Sequence, residues 1–368
     1  MRNGVRKLKL QPNGLATGIG SLPHCDPEEA VALVMKYLKK APHWPQLPRL
    51  SEREYFVHQF LNFLVELGLL QITKGTKAYL ASDNPRWPEC LARFYEVYLS
   101  FAEGDDSFLE DLAFPSGAAT GFERFVQFLG EKGIGEAQFL KGQIVGLLSA
   151  GFQVTDPEGR PAYYDHQLRD VLLKQLSMQA AWQVKTLSRF GLPVVVFLDD
   201  PVIDSCGRYD RIVVSKDEVI SEISEFAGFV RSHGGIAGVH SCADLDWSIL
   251  LEADIDVLSF DAYQFAESFV LFSGLLQKFL SRGGIVAWGI VPTSRDALNS
   301  EDTSSLLDRA KSIIRKLIAK GVEPQLLKRQ SLITPSCGAG TLAEPEAVRI
   351  YQLTAELSER WEKIFEEV

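Results

Sequence analysis

Residues 215–242 have the sequence SKDEVISEISEFAGFVRSHGGIAGVHSC, which contains one complete helix followed by one strand. Ser215 and Glu218 have the spacing of a capping box, which predicts a helix over 216–232. A glycine pair then leads into the short apolar run 235–240, which is typical of a buried strand. That strand ends in His240-Ser241-Cys242, so a helix-strand unit delivers two chemically active side chains at its carboxyl end.

The same alternation continues on both sides of this unit. From residue 136 onward, short apolar runs bounded by Gly, Pro or Asp alternate with helical segments such as 304–320, which is the pattern of repeated βα units. Two further strands upstream bring the count to eight and predict an α/β fold of the TIM (β/α)8 barrel class. The predicted strands are 15–20, 46–50, 138–148, 193–198, 235–240, 255–260, 284–290 and 331–335.

The stretch from about residue 51 to 135 is surplus to a minimal barrel of about 250 residues. It contains helical patterns and a candidate hairpin around residues 73–76. Since no repeat, low-complexity tract or Pro/Ser-rich linker interrupts the chain, we expect one domain over residues 1–368. In that domain, 51–135 is an excursion over the barrel.

Composition excludes several classes of partner. The 368 residues carry a net charge of −10, and the only basic cluster is the short stretch 6–9, so we expect neither nucleic acid nor anionic membrane as a partner. No apolar run approaches the roughly 20 residues of a membrane span, and the amino terminus lacks a secretory signal. We therefore expect a cytoplasmic protein. Its five cysteines, an odd count without framework spacing, predict reduced thiols.

Three strand-end residues predict a zinc site. His240 and Cys242 lie two positions apart in an extended chain, so their side chains point to one side. Cys337 ends the last strand, and the carboxyl ends of barrel strands surround one mouth. One imidazole and two thiolates suit catalytic zinc with a fourth position left exchangeable, and Asp261 is a weaker candidate for that position. The alternative is a set of buried structural residues, since free Cys is often buried.

Five segments resemble the catalytic barrel of cobalamin-independent methionine synthase, within the superfamily that also contains uroporphyrinogen decarboxylase. The resemblance implies that His240, Cys242 and Cys337 bind zinc, and that Asp261 replaces a family Glu at the metal. The segments are Gly18-Ile19-Gly20-Ser21-Leu22-Pro23, Asp199-Asp200-Pro201, His240-Ser241-Cys242, Asp256-Val257-Leu258-Ser259-Phe260-Asp261 and Cys337-Gly338.

The resemblance also implies an amino-acid pocket. Ile19 and Ser21 match positions that hold the substrate carboxylate, and Asp199 matches the acid that holds its amino group. Asp200, which replaces a family Glu, is a further candidate for substrate binding. His24, close to Ser21, is a candidate catalytic acid or donor, although a loop His at a helix start is as often a surface hydrogen-bond partner.

The expected activity is zinc-dependent methyl transfer to a thiol, most simply homocysteine to give methionine. The family's His after strand seven has no counterpart in residues 290–293, and the chain has room for one barrel only. We therefore expect methylcobalamin or another methylcorrinoid, free or on a corrinoid protein, in place of folate. An aromatic stripe could form one wall of its mouth or be simple core, namely Trp87, Phe94, Tyr95 and Tyr98.

Three alternatives remain open. A metal-free relative of uroporphyrinogen decarboxylase would share the barrel. The same zinc site is compatible with another thiol, such as coenzyme M. A non-catalytic barrel would store zinc or bind a corrinoid protein without alkylating a thiol. Metal content and thiol methylation distinguish these alternatives.

Overall fold

A computed structural model of the chain describes residues 10–73, 75, 77–206 and 214–366. The strands are β1 Leu15–Ala16, β2 Leu70–Ile72, β3 Ala78–Leu80, β4 Leu140–Val145, β5 Val154–Thr155, β6 Val194–Asp199, β7 Ile236–Ser241, β8 Val257–Phe260, β9 Ile285–Val291 and β10 Ser331–Pro335. The helices are α1 Pro27–Tyr37, α2 Asn62–Glu66, α3 Trp87–Ala102, α4 Thr120–Lys132, α5 Leu147–Gln153, α6 His166–Ser188, α7 Lys216–Ser232, α8 Ser248–Glu252, α9 Ala262–Val270, α10 Ser273–Ser281, α11 Arg295–Ser300, α12 Thr303–Ala319, α13 Pro324–Arg329, α14 Glu344–Glu359 and α15 Trp361–Ile364.

Seven of these strands form one parallel, curved sheet in the order β1-β10-β9-β8-β7-β6-β4, with helices in the connections. Parallel strands joined by helical crossovers are the arrangement that the alternating pattern predicted, and the TIM-barrel class is confirmed. The capping-box prediction is also confirmed, because α7 begins after Ser215 with both reciprocal hydrogen bonds to Glu218 present.

The predicted second strand, 46–50, is wrong. The chain passes between β1 and β4 slightly earlier, and makes only two isolated parallel bridges, one from His43 to Lys141 and one from Gln46 to Ser21. Pro42, Pro45 and Pro48 explain the difference, since each removes a backbone N–H that a continuous ladder needs. This segment still hydrogen-bonds on both sides and occupies the place of the eighth strand.

Alternation along the strands separates an inner face from a helix-covered face. On β6, Val195 and Phe197 belong to a small inner cluster, whereas Val196 and Leu198 belong to the large cluster shared with the helices. Asp199 lies two residues after Phe197, so it is on the same inner face of β6. The carboxyl ends of the strands therefore present inward-facing polar residues above an apolar floor.

The segment 51–135 contributes α2, α3, α4 and the hairpin of β2 and β3. The strands on either side of the hairpin predicted around residues 73–76 are β2 and β3, which pair antiparallel. Thr73 N donates to Lys77 O at 2.9 Å. Residues 74 and 76, and the basic stretch 6–9, lie outside the described residues.

The aromatic stripe on α3 is core. Phe94 is fully buried, Tyr98 stacks on Phe229 of α7 with ring centroids 5.4 Å apart, and Tyr95 donates its hydroxyl to Asp170. Its residues pack α3 against the barrel helices, which favours the core interpretation over a wall of a corrinoid mouth. Among the described residues, no helix is both long and apolar enough to span a membrane.

Candidate functional site

The three predicted zinc ligands come together. His240 lies on β7, Cys242 follows that strand, and Cys337 follows β10; one ligand atom from each lies within 4.8 Å of the others. The period of two along an extended chain places His240 and Cys242 on one side. The curvature of the sheet then brings Cys337 to them from the other side of the mouth. Metal binding by this cluster stays a prediction.

The ring of His240 is already held in a ligand orientation. Its Nδ1 lies 2.9 Å from the hydroxyl oxygen of Ser259 on β8, while its Nε2 is buried with no hydrogen-bond partner among the described residues. With the proton on Nδ1, the lone pair of Nε2 is free. A buried nitrogen without a partner is costly, and a metal ion would satisfy it. The donor set therefore fits zinc.

The two thiols shift each other's pKa in opposite directions. A hydrogen bond from Cys337 lowers the pKa of Cys242 well below its usual value, and His240 acts in the same direction. The same hydrogen bond, together with burial, raises the pKa of Cys337. Both shifts favour the thiolate form of Cys242, which is the form of cysteine that coordinates zinc.

Removing the Ser259 hydroxyl should weaken zinc binding. We expect Ser259→Ala to lower zinc affinity about 10–100-fold, the usual cost of losing a partner that orients a ligating His. Competition with a chromophoric chelator measures this. Ser188→Ala, at the exposed end of α6, is the matched control. Equal affinities in the two variants would show that Ser259 does not orient the ligand.

Asp261 is positioned as a helix cap. Its Oδ1 accepts from Gln264 N at 2.9 Å and its Oδ2 from Gln264 Nε2 at 2.8 Å, at the start of α9. Burial raises the pKa of this carboxyl, and the bonds to Gln264 oppose the rise. It does not belong to the close His-Cys-Cys cluster found among the described residues. These contacts favour a supporting role, and direct ligation stays a prediction.

Asp199 is available for a ligand. It ends β6 as the direct strand neighbour of His240, and its Oδ1 is buried with no hydrogen-bond partner among the described residues. Burial raises the pKa of Asp199 to about 6, against the attraction of Lys141 and His240. An unpaired buried carboxylate oxygen beside the His-Cys-Cys cluster can accept a hydrogen bond from a substrate ammonium.

Asp200, predicted to bind substrate, caps α5. Its carboxylate accepts from Leu148 N, from the amide and hydroxyl of Ser149, and from Val202 N, at 2.7–3.2 Å. Burial raises the pKa of Asp200 to about 6, and these bonds oppose the rise. Both oxygens are therefore occupied by the protein. A substrate contact for Asp200 stays a prediction that this geometry does not favour.

The turn of Ile19 and Ser21 lies against the loop that follows Cys337. Ser21 O accepts from Ala339 N at 2.9 Å, and Ser21 Oγ accepts from Gly340 N at 3.3 Å. A Cβ atom at Gly338 would lie 2.2 Å from Ser21 Oγ, so a side chain there would displace the Ser21 hydroxyl. The substrate-binding role of Ile19 and Ser21 stays a prediction, but hydrogen bonds hold their turn against the loop that follows Cys337.

His24 is buried, so the alternative of a surface hydrogen-bond partner is wrong. Its Nδ1 has no partner among the described residues, and only 4% of the residue is exposed. Burial lowers the pKa of His24, with Glu344, Glu29 and Asp26 opposing the shift. The Nδ1 atom without a partner is the feature that makes His24 a candidate proton acceptor.

Two residues of the site were not predicted. Lys141 is a fully buried lysine on β4, and Ser259 is the partner of His240. Each left a signal: Lys141 is the single charge in the apolar run 138–148, and Ser259 precedes Asp261 by two, on the same strand face. Burial lowers the pKa of Lys141 to about 8, against the attraction of Asp199.

The fold and these residues together define a TIM-barrel protein with a candidate His-Cys-Cys metal centre.

One comparison with known proteins supports the fold. No protein-family model and no curated protein sequence matches the chain. Among solved structures, it is similar to a B12-independent methionine synthase from Shewanella sp. W3-18-1 in complex with selenomethionine. The TM-score is 0.56 at 14% identity, with 96% of this chain and 99% of that chain covered.

Two further structures are less similar. A putative vitamin-B12 independent methionine synthase from Listeria monocytogenes has a TM-score of 0.44 at 12% identity, covering 96% of this chain and 98% of that one. A xylose isomerase-like TIM barrel protein from Mycobacterium smegmatis, in complex with magnesium, has a TM-score of 0.36 at 13% identity, covering 78% and 91%. At such identities, the Shewanella similarity shows a shared fold.

Proposed function

We propose that this protein is a cytoplasmic, zinc-dependent methyltransferase that methylates the sulfur of a thiol amino acid, homocysteine to methionine, with a methylcorrinoid as donor. The observation that carries the proposal is the convergence of His240, Cys242 and Cys337 at the carboxyl ends of the barrel strands. A structural zinc site closes its coordination with four protein ligands, whereas three ligands leave a position for substrate sulfur.

These three residues would hold the zinc ion, with Ser259 orienting His240. Zinc bound there would lower the pKa of the substrate thiol and hold its sulfur as a thiolate. His24, three residues beyond Ser21 and with a free Nδ1, is the residue we assign to accept the thiol proton. In this proposal the protein itself removes the proton that would otherwise keep the sulfur unreactive.

The amino-acid part of the substrate would bind between two elements. Asp199 Oδ1 is the acceptor for the ammonium group. The amide N–H groups of Gly20 and Ser21 have no acceptor among the described residues, and two successive N–H groups form a site for an anion. In this proposal, the turn 19–21 therefore receives the carboxylate, as the resemblance implies for Ile19 and Ser21.

The proposed donor is a methylcorrinoid. The substrate thiolate would attack the methyl carbon to form a carbon–sulfur bond, and the donor would keep the electron pair of the broken cobalt–carbon bond. In place of the family's His after strand seven stands Val291-Pro292-Thr293, and Thr293 is bound to Ser336 through both its amide and its hydroxyl. This absence favours a donor other than polyglutamyl folate. The corrinoid would be free or carried by a partner protein.

An assay with methylcobalamin and a panel of thiols tests the proposal. We expect loss of the visible absorbance of methylcobalamin, and formation of methionine, with homocysteine; chelator should abolish both and zinc should restore them. Turnover with coenzyme M and none with homocysteine would show that the methyl acceptor is a thiol other than homocysteine. Turnover with methyltetrahydrofolate polyglutamate alone would overturn the donor. Bound zinc without any methyl transfer would indicate a non-catalytic barrel. Metal-independent decarboxylation of a tetrapyrrole acid would indicate a relative of uroporphyrinogen decarboxylase.

A further inference from the structure

Lys141 is a buried charge inside the barrel. It lies on β4 with none of its surface exposed, and its Nζ is 4.5 Å from the centre of the Phe197 ring. Its ammonium donates to the carbonyl oxygen of Ile19, and a longer bond of 3.4 Å reaches Gln143 Oε1. Because burying an ammonium group is costly, its position calls for a compensating partner or a role.

The Lys141 side chain connects the two halves of the proposed amino-acid pocket. It binds Ile19 O in the turn directly, and its positive charge acts on Asp199, where it opposes the rise of the pKa that burial causes. Asp199 Oδ1 nevertheless has no hydrogen-bond partner among the described residues. Lys141 therefore balances the charge of Asp199 and leaves that oxygen open.

The bond to Ile19 O also fixes the direction of an amide group. Ile19 O and Gly20 N–H belong to one peptide unit, which is trans because the described chain has no cis peptide bonds, so they point in opposite directions. The next unit is fixed in the same way, because Gly20 O accepts from Gln46 N at 3.0 Å and Ser21 N–H points away. A cation on the carbonyl additionally polarises the unit and strengthens its N–H as a donor.

We propose that Lys141 is a positioning residue, which orients and polarises the Gly20 amide to receive the carboxylate of an amino-acid substrate. The pocket then offers a cation-supported amide to the carboxylate of a zwitterion and the Asp199 carboxylate to its ammonium group. This inference rests on the amino-acid pocket of the proposed function but not on zinc or on the methyl donor.

Calorimetry with three probes tests it: L-norleucine carries both charges, hexanoate only the carboxylate, and n-pentylamine only the ammonium. Lys141→Met should weaken norleucine and hexanoate about tenfold or more, because a charge-supported hydrogen bond is lost. Pentylamine should bind equally or more tightly, since Asp199 loses a competing cation. Asp199→Asn should give the reverse, weakening norleucine and pentylamine while sparing hexanoate. Lys40→Met, an exposed lysine, is the control and should change none of the three.

A measurement on the unaltered chain keeps the inference testable should Lys141→Met fail to fold. Labelling Ile carbonyls with carbon-13 and Gly amides with nitrogen-15 selects Ile-Gly pairs by NMR, and the chain has two, Ile19-Gly20 and Ile134-Gly135. Norleucine and hexanoate should shift the Gly20 signal, whereas pentylamine should not. The exposed Gly135 serves as an internal control.

The outcomes separate this inference from the proposed function. Equal weakening of all three probes by Lys141→Met, or unchanged norleucine binding in that variant, would overturn the role of Lys141 alone. So would an unmoved Gly20 signal with norleucine bound. Failure of the unaltered protein to bind norleucine would overturn the amino-acid pocket and this inference with it. Zinc content and methyl transfer are measured separately.

Discussion

Cys337→Ala should remove most of the zinc that we expect to purify with the protein at about one ion per chain. Cys337 is one of the three clustered metal-ligand candidates found among the described residues, and its loss would leave two protein ligands, His240 and Cys242. Loss of a ligand from a three-ligand site lowers affinity by orders of magnitude, so methyl transfer should disappear with the metal. Elemental analysis of protein prepared without chelator measures the zinc.

Cys90→Ala is the matched control, because Cys90 lies on α3 and is a free, half-buried cysteine outside the cluster. It should retain its zinc. Zinc retained at full occupancy in Cys337→Ala would contradict the site, and absence of zinc from the unaltered protein would remove the central hypothesis. Circular dichroism of both variants shows whether the fold is intact.

Asp200→Ala should lower the free energy of unfolding by about 3–5 kcal/mol, because it leaves several buried donors without an acceptor. Those donors belong to Leu148, Ser149 and Val202, and they connect the end of β6 to the start of α5. Chemical denaturation measures the loss. Zinc content per folded chain should be unchanged, since Asp200 is not part of the cluster.

Asp83→Ala, in an exposed turn, is the control and should change the free energy of unfolding by no more than about 0.5 kcal/mol. A stable Asp200→Ala protein that has lost affinity for the thiol amino acid would return Asp200 to the substrate-binding role that the resemblance implies. The two readouts, unfolding and ligand binding, therefore separate a capping residue from a binding residue.

Local patterns were sufficient for the repeating units of the fold. The helix predicted over 216–232 has those bounds, because a capping box and a helical period depend on neighbours within one or two turns. The strand predicted over 46–50 is wrong, because Pro48 lies within it and Pro42 and Pro45 lie just before it, and each removes a donor from the ladder. The place of that segment in the barrel depends on β1 and β4, which are distant in sequence.

The acids after the strands show where sequence reasoning ends. Asp261 is followed by Gln264 at capping distance, so its role as a helix cap was readable locally. The donors to Asp200 at Leu148 and Ser149 lie some fifty residues earlier, and nothing near Asp200 indicates them. A buried acid at a strand end therefore fits a cap and a ligand equally well until its partners are known.

The sequence by itself determined the barrel class and the convergence of His240, Cys242 and Cys337, because both follow from generic geometry: the pleat of a strand and the common mouth of parallel strands. Only the tertiary structure decided which polar groups near that mouth are already satisfied. Among the described residues, Asp200 is satisfied, whereas Asp199 Oδ1 and His240 Nε2 have no hydrogen-bond partner, and Lys141 lies behind the turn at Ile19. The physical reason is that hydrogen-bond saturation and burial depend on side chains brought together from distant strands, which no local pattern encodes.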